Sequence, residues 1–474
     1  MDNVDTNASW KKLSAQIWAF RLYGEAEFCD ERLRKRAVKI ASVLAAHPGP
    51  AFTKAFEMWG QAKAAYRFVE NQRVTARHLM QPMQEQTAQV CAGRDVVLLI
   101  QDTTTVVSDQ PKHRDAMGPV NQSKAVGMLL HSCLATTRDG LALGVVSARI
   151  WTRQEKMPRG QSAHDNKPVL EKESARWIET AKESHNAIAA QCPPEKRPRL
   201  IHVCDREGDI HEFFETVAAL SDSAVVRCCQ NRRVQVGDET SLSHEAVARK
   251  TPLAHLSLVV PRSANQSVRN ALVEVRAQRQ ILQPGQEGRR AKNRQPLALN
   301  LVEIREIRPP EGCAPLLWRL WTAERADTLA DILAVLEIYK RRWRIEDMHL
   351  ILKSGCRVEK MQFDQPATLQ KALALYLPVA ARILHLRDSA RLTPDACCTQ
   401  AFSDIEWRVL WTLIQKVPPS AAQQPPSLRE AIGYVGRLGG HLGRKSDGPP
   451  GVRTLWSGLQ DLQIAVRYAQ SLSP

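Results

Sequence analysis

Three carboxylates, Asp102, Asp205 and Glu346, stand where they could share one metal-dependent chemistry. Asp102 follows the apolar run Val97–Ile100 in Gln101-Asp102-Thr103-Thr104, and Asp205 follows Ile201–Cys204 in Asp205-Arg206-Glu207. If those runs are neighbouring strands, both carboxylates project into the same rim of a sheet. An aspartate after a strand is more often a turn or cap residue, so the pair alone decides little. Glu346 carries more information. Tyr339, Arg342, Glu346 and Lys353 are separated by three, four and seven positions, which on one helix gathers them within about 60°. Ile338, Ile345 and Leu352 form a separate apolar stripe that can be buried. An amphipathic helix with ordinary charge pairs one turn apart is the plain alternative. A carboxylate ringed by a tyrosine, an arginine and a lysine is an odd choice for solubility alone. Hard oxygen donors suit Mg²⁺, with Mn²⁺ as a substitute. Two such ions about 3.5–4 Å apart can activate a water or a 3′-hydroxyl and stabilise a leaving 3′-oxygen. Neighbouring arginine and lysine side chains would grip flanking phosphates. No persuasive Ser-His or Cys-His pairing offers a covalent route instead.

Elements of both periods are needed to position these groups. Val96–Ile100 and Leu200–Cys204 read as strands buried on both sides. Met128–Leu134 and Leu141–Ser147 read as further strands around the turn Arg138-Asp139-Gly140, and Glu171–Ile188 as a helix. Asp209 is placed to cap a helix over Ile210–Val217. Short β-like runs fill the chain from about Ala224 to Trp321, and one long helix is expected from Leu329 to Lys353. The C-terminal part is helical after the Pro-rich stretch Val417–Pro426. Alternating strands and helices around a β-rich insertion imply an α/β core with a mixed sheet.

The chain has 474 residues, enough for a large core and several domains. Lys plus Arg outnumber Asp plus Glu by 66 to 50, a net charge of +16. That suits a polyanionic partner whose counterions are displaced from phosphates, and equally an ordinary basic enzyme. A concentrated source of charge lies near the N-terminus, where a helical reading runs from about Trp10 to Asn71. Arg32, Arg34, Lys35, Arg36 and Lys39 occupy the polar side of a helix whose other side carries Leu33, Ala37 and Ile40, with Pro48-Gly49-Pro50 ending it. A second helical stretch carries Lys63, Tyr66 and Arg67. Both could be solvated surface. No apolar run approaches a membrane span, and the polar start Met1-Asp2-Asn3-Val4-Asp5 is not a secretory leader. The 11 cysteines show no C-x-x-C or zinc-finger spacing, as in a reduced cytoplasmic chain. No G-x-x-x-x-G-K-[ST] loop is present, so no nucleotide cofactor is expected.

Taken together, the blocks around Asp102, Asp205-Arg206-Glu207-Gly208-Asp209-Ile210 and Tyr339-x-x-Arg342-x-x-x-Glu346-x-x-x-x-x-x-Lys353 resemble three signature blocks. They are those of the insertion-sequence-four group of DNA transposases, most closely the Tn-five type. The third block matches that group's Y-(2)-R-(3)-E-(6)-K signature in full. The resemblance extends to Asp30-Glu31-Arg32 and Ala64-Ala65-Tyr66-Arg67-Phe68 near one end and to Arg437-Leu438-Gly439-Gly440 and the Trp456 region near the other. It implies a helical DNA-binding domain over 1–75 and an RNase-H-like catalytic core over 76–390, with a β-rich insertion at about 224–322. A helical dimerisation region over 391–474 completes the layout. It also implies that Asp102, Asp205 and Glu346 hold two divalent ions. Tyr339, Arg342 and Lys353 would hold transposon-end phosphates, and Trp318 would stack on a flipped base. The implied reaction is nicking, hairpin formation and opening, and strand transfer into target DNA, by a homodimer across paired ends. One departure follows Arg227, a further expected DNA contact. Cys228-Cys229-Gln230 stands there in place of polar and basic residues, with basicity returning at Arg232-Arg233 and in the loop Arg289–Arg294.

Two other readings remain at this level: a catalytically silent DNA-binding relative or transposition inhibitor, and a stand-alone metal-dependent nuclease. Intact carboxylates argue against the first, and the extra terminal domains against the second.

Overall fold

The computed structural model describes residues 15–47, 52–56, 58–108, 116–120, 125–153, 169–260, 268–284, 295–363, 365–444 and 447–472. Pro48-Gly49-Pro50 and the basic loop Arg289–Arg294 lie outside them. Four helices come first: α1 (Ala15–Tyr23), α2 (Glu31–Ala46), α3 (Trp59–Glu70) and α4 (Ala76–Cys91). Two of their starts have a clear local cause. Asp30 accepts the Arg32 N–H at the head of α2. Thr75 and His78 form a reciprocal capping pair at the head of α4, satisfying N–H groups that a helix start leaves open. Along α2 the apolar side holds Ala37, Ile40, Ala41 and Leu44 inside.

The strands β1 (Val96–Ser108), β2 (Val126–Thr137) and β3 (Ala142–Trp151) form an antiparallel meander. Helix α5 (Ala175–Gln191), strand β4 (Arg199–Cys204), helix α6 (His211–Ala219) and strand β5 (Ser223–Arg227) follow, with β1, β4 and β5 parallel. Then come β6 (Arg233–Val236), β7 (Glu239–Leu242), α7 (Ser243–Ala248), β8 (Ala254–Val260), β9 (Arg269–Leu282), β10 (Leu297–Glu306) and β11 (Leu317–Thr322). All eleven described strands belong to one sheet, in the order β3-β2-β1-β4-β5-β11-β10-β9-β6-β7 with β8 beside β9. The β-rich insertion is therefore continuous with the core, joined through the antiparallel β5–β11 pair.

Six more helices complete the chain: α8 (Leu329–Lys340), α9 (Trp343–Leu350), α10 (Pro366–Leu392), α11 (Asp404–Gln415), α12 (Leu428–Leu438) and α13 (Val452–Leu472). On one face of the sheet Leu98, Ile100, Ile201, Val203, Val225 and Leu320 share a core with these and the N-terminal helices. On the other face Cys204, Val226, Leu301 and Trp321 pack with α5 and α6. Helix α10 is buried almost all round and lies against β3, α2, α4 and α13, so it ties both helical ends to the sheet. This is the multidomain α/β architecture expected, with a helical N-terminal region, an RNase-H-like mixed-sheet core and a helical C-terminal region.

Three local expectations are corrected. Strand β1 does not end at Asp102 but runs on to Ser108, because Asp102–Ser108 keep pairing with β2 after β4 has stopped. Asp209 does not cap the helix after it, since Ile210 occupies the N-cap. Its carboxylate instead accepts the N–H groups of Cys229 (2.7 Å) and Gln230 (3.0 Å) and pairs with Arg232 at 2.9 Å. That is how the chain turns after Arg227. The long helix expected over Leu329–Lys353 is interrupted: α8 closes with tight bonds from Arg341 N–H to Ile338 O and Arg342 N–H to Tyr339 O. After α9, Ile351–Gly355 widens into a π-helical turn closed by Cys356 N–H to Ile351 O at 2.7 Å. A constant 100° per residue therefore does not hold from Tyr339 to Lys353.

Candidate active site

Strand register fixes the heart of the site. Ile100 pairs with Val203, and Val203 with Val225, across the parallel strands. Counting two residues on from each reaches Asp102, Asp205 and Arg227, and side chains two apart along a strand share a face. On the other side of β1, Asp102 is paired with Ser132, and beyond β5, Arg227 is paired with Leu320. Asp102 opposite Ser132 and Arg227 opposite Leu320 thus flank the end of β4, where Asp205 follows Cys204. Asp205 also heads the short turn Arg206–Gly208, its Oδ1 accepting the Glu207 N–H at 2.8 Å.

Glu346 reaches this rim from α9, held by an ion pair from Arg342 one turn earlier. The electrostatics register the convergence. Burial, the Asp205 charge and the Glu346 charge push the Asp102 carboxyl up to about 7, against the pull of Arg342. Burial works against the Arg342 cation, but Tyr339, Glu346 and Asp102 outweigh it and raise its pKa. Arg342 also lies over the Trp343 ring, 5.0 Å from its centroid.

Of the aromatic and cationic residues expected beside the carboxylates, Trp318, Tyr339 and Arg227 are contiguous. Trp318 meets Tyr339 edge to face at 5.8 Å, and the Arg227 guanidinium lies 5.7 Å from the centre of the Trp318 ring. Arg227 also donates to the Leu317 carbonyl. Burial raises the Tyr339 phenol and lowers the Arg227 pKa. Trp318 is half-buried on the sheet rather than sealed in the core. Lys353 projects from the π-turn to Glu359 at 3.6 Å, and Glu359 accepts the Val107 N–H, tying that turn back to β1.

Several residues around the carboxylates are not signalled by the motifs. His349 is buried 3.7 Å from Asp102 Oδ2, with its Nε2 2.9 Å from Ser132 Oγ. Burial, with Lys353 adding, lowers its pKa to about 3, so it is neutral. Its place three residues after Glu346 was a usable signal. On the opposite face of β1 a buried polar chain runs from Thr103 to His131 (2.8 Å), Gln101 (3.3 Å), His202 (3.4 Å) and Asp222 (3.0 Å). Arg176 on α5 donates to Thr103 at 3.0 Å and pairs with Glu207. These contacts join residues far apart in sequence, and no spacing could announce them.

The N-terminal cations stand apart from this rim. Arg32, Lys35 and Lys39 are exposed on α2, Arg34 and Arg36 are half-exposed beside them, and Arg67 is exposed on α3. Glu31 pairs with Arg34 and Lys35 (3.1 Å).

Whether the carboxylates suit divalent ions can be judged from their surroundings. Asp102 is a half-buried carboxylate whose pKa is raised by desolvation and then by the Asp205 and Glu346 charges, a local negative charge that a cation would relieve. The donors are all hard oxygens. In this arrangement Glu346 is turned to Arg342, and among the described residues no three His, Cys, Asp or Glu side chains already form a closed ligand set. The donor set fits Mg²⁺ in chemistry, and a closed set requires the three carboxylates to draw closer than they stand here. Among the described residues no helix is long and apolar enough to cross a membrane.

Comparison with known families bears on both ends of the chain. Residues 15–74 match the family model described as Transposase DNA-binding. Residues 378–474 match the model described as Transposase Tn5 dimerisation domain.

Proposed function

We propose that this chain, which its two terminal domains place among the Tn5-type transposases, is an active cut-and-paste transposase working through Asp102, Asp205 and Glu346. The observation that supports the reading is the convergence of charge at Asp102, whose carboxyl feels both Asp205, at the end of the neighbouring parallel strand, and Glu346 from α9. Mg²⁺ or Mn²⁺ bound there, two ions per site, would polarise the phosphate and activate the attacking oxygen. The chain's own residues do the rest. Arg342 and Lys353 hold flanking phosphates by charge, and Tyr339 orients them by its hydroxyl. Trp318, propped by Tyr339 and Arg227, offers a flat apolar surface to a base taken out of the stack. Positioning of this kind supports nicking, closure of a hairpin by the freed 3′-hydroxyl, its reopening, and joining to target DNA. The N-terminal cations grip transposon ends, and the C-terminal helices pair two subunits into a synaptic complex on DNA in the cytoplasm.

The test is cleavage of linear DNA carrying the element's own ends with Mg²⁺, Mn²⁺ or chelator, beside Asp205→Asn. Metal-dependent hairpins and excised fragments are expected, and the mutant should bind ends while losing at least about a hundredfold in rate, the worth of a few kcal/mol. Salt-sensitive binding without cleavage under any metal would instead identify a silent DNA-binding relative.

A further inference from the structure

Resting on the reading of Asp102 as a metal ligand, we propose that His349 is a positioning residue that fixes the Asp102 carboxylate. Three elements meet at this side chain. His349 lies on α9 one turn after Glu346, Ser132 lies on β2, and Asp102 lies directly across from Ser132 on β1. The imidazole is sealed in, with Nε2 2.9 Å from Ser132 Oγ and Nδ1 3.7 Å from Asp102 Oδ2. As a metal ligand Asp102 acts as a carboxylate, which only accepts hydrogen bonds, so in that state the ring would face it with the proton on Nδ1 and Nε2 would accept from the Ser132 hydroxyl. At 3.7 Å the N–H dipole attracts the carboxylate without a full hydrogen bond, and a shift of about an ångström closes one. One imidazole thus ties the strand bearing the first carboxylate to the helix bearing the third. It sets which Asp102 oxygen is left free toward the rim. Partners of this kind around ligating carboxylates change metal affinity or activity by about 10–100-fold when removed.

The experiment uses the full chain and its own end DNA with His349→Phe, His349→Gln and Ser132→Ala, beside Asp102→Asn. Mn²⁺ binding to the protein is read by electron paramagnetic resonance, alongside the Mn²⁺ concentration for half-maximal cleavage and the affinity for end DNA. His349→Phe is expected to weaken Mn²⁺ binding about tenfold or more and raise the half-maximal concentration to match, with end binding within about twofold of the parent. His349→Gln, which keeps an N–H, should recover part of the loss, and Ser132→Ala should show a smaller loss. If His349→Phe fails to fold, end binding falls with it, and the same two measurements on His349→Gln and Ser132→Ala decide. Unchanged Mn²⁺ binding and metal requirement in folded His349→Phe, with Asp102→Asn inactive, would overturn the proposal while sparing the site. Cleavage at the parent rate by Asp102→Asn would instead remove the reading on which it rests.

Discussion

Asp205 follows Cys204, the last paired residue of β4, and Arg227 follows Val226, the residue of β5 that Cys204 pairs with. The Arg227 guanidinium is engaged by the Trp318 ring and the Leu317 carbonyl.

Arg227→Lys keeps the charge at that place but loses the planar fork and its contact with the indole. Cleavage of end DNA should fall about tenfold or more with little change in end binding. Trp318→Phe should retain more hairpin formation than Trp318→Ala, because a smaller flat ring still stacks, each stacked base contributing about 1–3 kcal/mol. Equal activity of Trp318→Ala and the parent in a hairpin assay would remove the platform role.

Helices α12 and α13 touch backbone to backbone. A Cβ on Gly458 would fall 1.8 Å from the Val435 carbonyl oxygen, and one on Gly439 would fall 1.9 Å from that of Thr454. Gly458→Ala must therefore force the helices apart, at a cost of about 1–3 kcal/mol. We expect a lower Tm and weaker dimers by analytical ultracentrifugation, while the N-terminal domain still binds DNA. A variant that dimerises as the parent does would show that the close crossing is dispensable.

Stability should fall on mild acidification. His47, buried at the C-terminal end of α2, has its pKa lowered from 6.5 to about 4 by burial and by Arg467 of α13. The unfolded chain therefore binds more protons than the folded one between those values. Its contribution is intact above about pH 6.5 and is lost as pH falls toward 4, with a slope of up to about 1.4 kcal/mol per pH unit for one proton. His47→Leu should flatten that part of a Tm-against-pH curve. An unaltered curve would show that folding does not shift the titration of His47.

Alanine at Arg32, Lys35 and Lys39 should weaken end binding and reduce its salt dependence. Each phosphate that is no longer neutralised lowers the slope of log K against log salt by about 0.9. A triple variant with the parent's slope would mean that this exposed face of α2 does not touch the backbone of DNA.

The site was partly legible in the sequence. Val96–Ile100 and Leu200–Cys204 announced their strands by continuous apolar character. Both aspartates were found because each follows such a run. Their convergence was not readable, since it depends on pairing between segments far apart along the chain. The break between α8 and α9 was hidden too: no glycine or proline occurs between Leu329 and Ser354. The interruption therefore has no helix-breaking residue to announce it. Asp209 shows the same limit. Its position before a helix suggested a cap, while its partners, Cys229, Gln230 and Arg232, come from beyond β5.

The union of the insertion with the core sheet has a dimensional consequence. From β4 through β5 to β11 there are two strand spacings, roughly 10 Å in all, and hydrogen bonds hold both. An aromatic carried on a tethered lobe would wander relative to the carboxylates; one carried on β11 cannot. The strand that carries Trp318 and the strand that leads into Asp205 thus belong to one hydrogen-bonded sheet, so a substrate that engages both residues is measured against a shared frame.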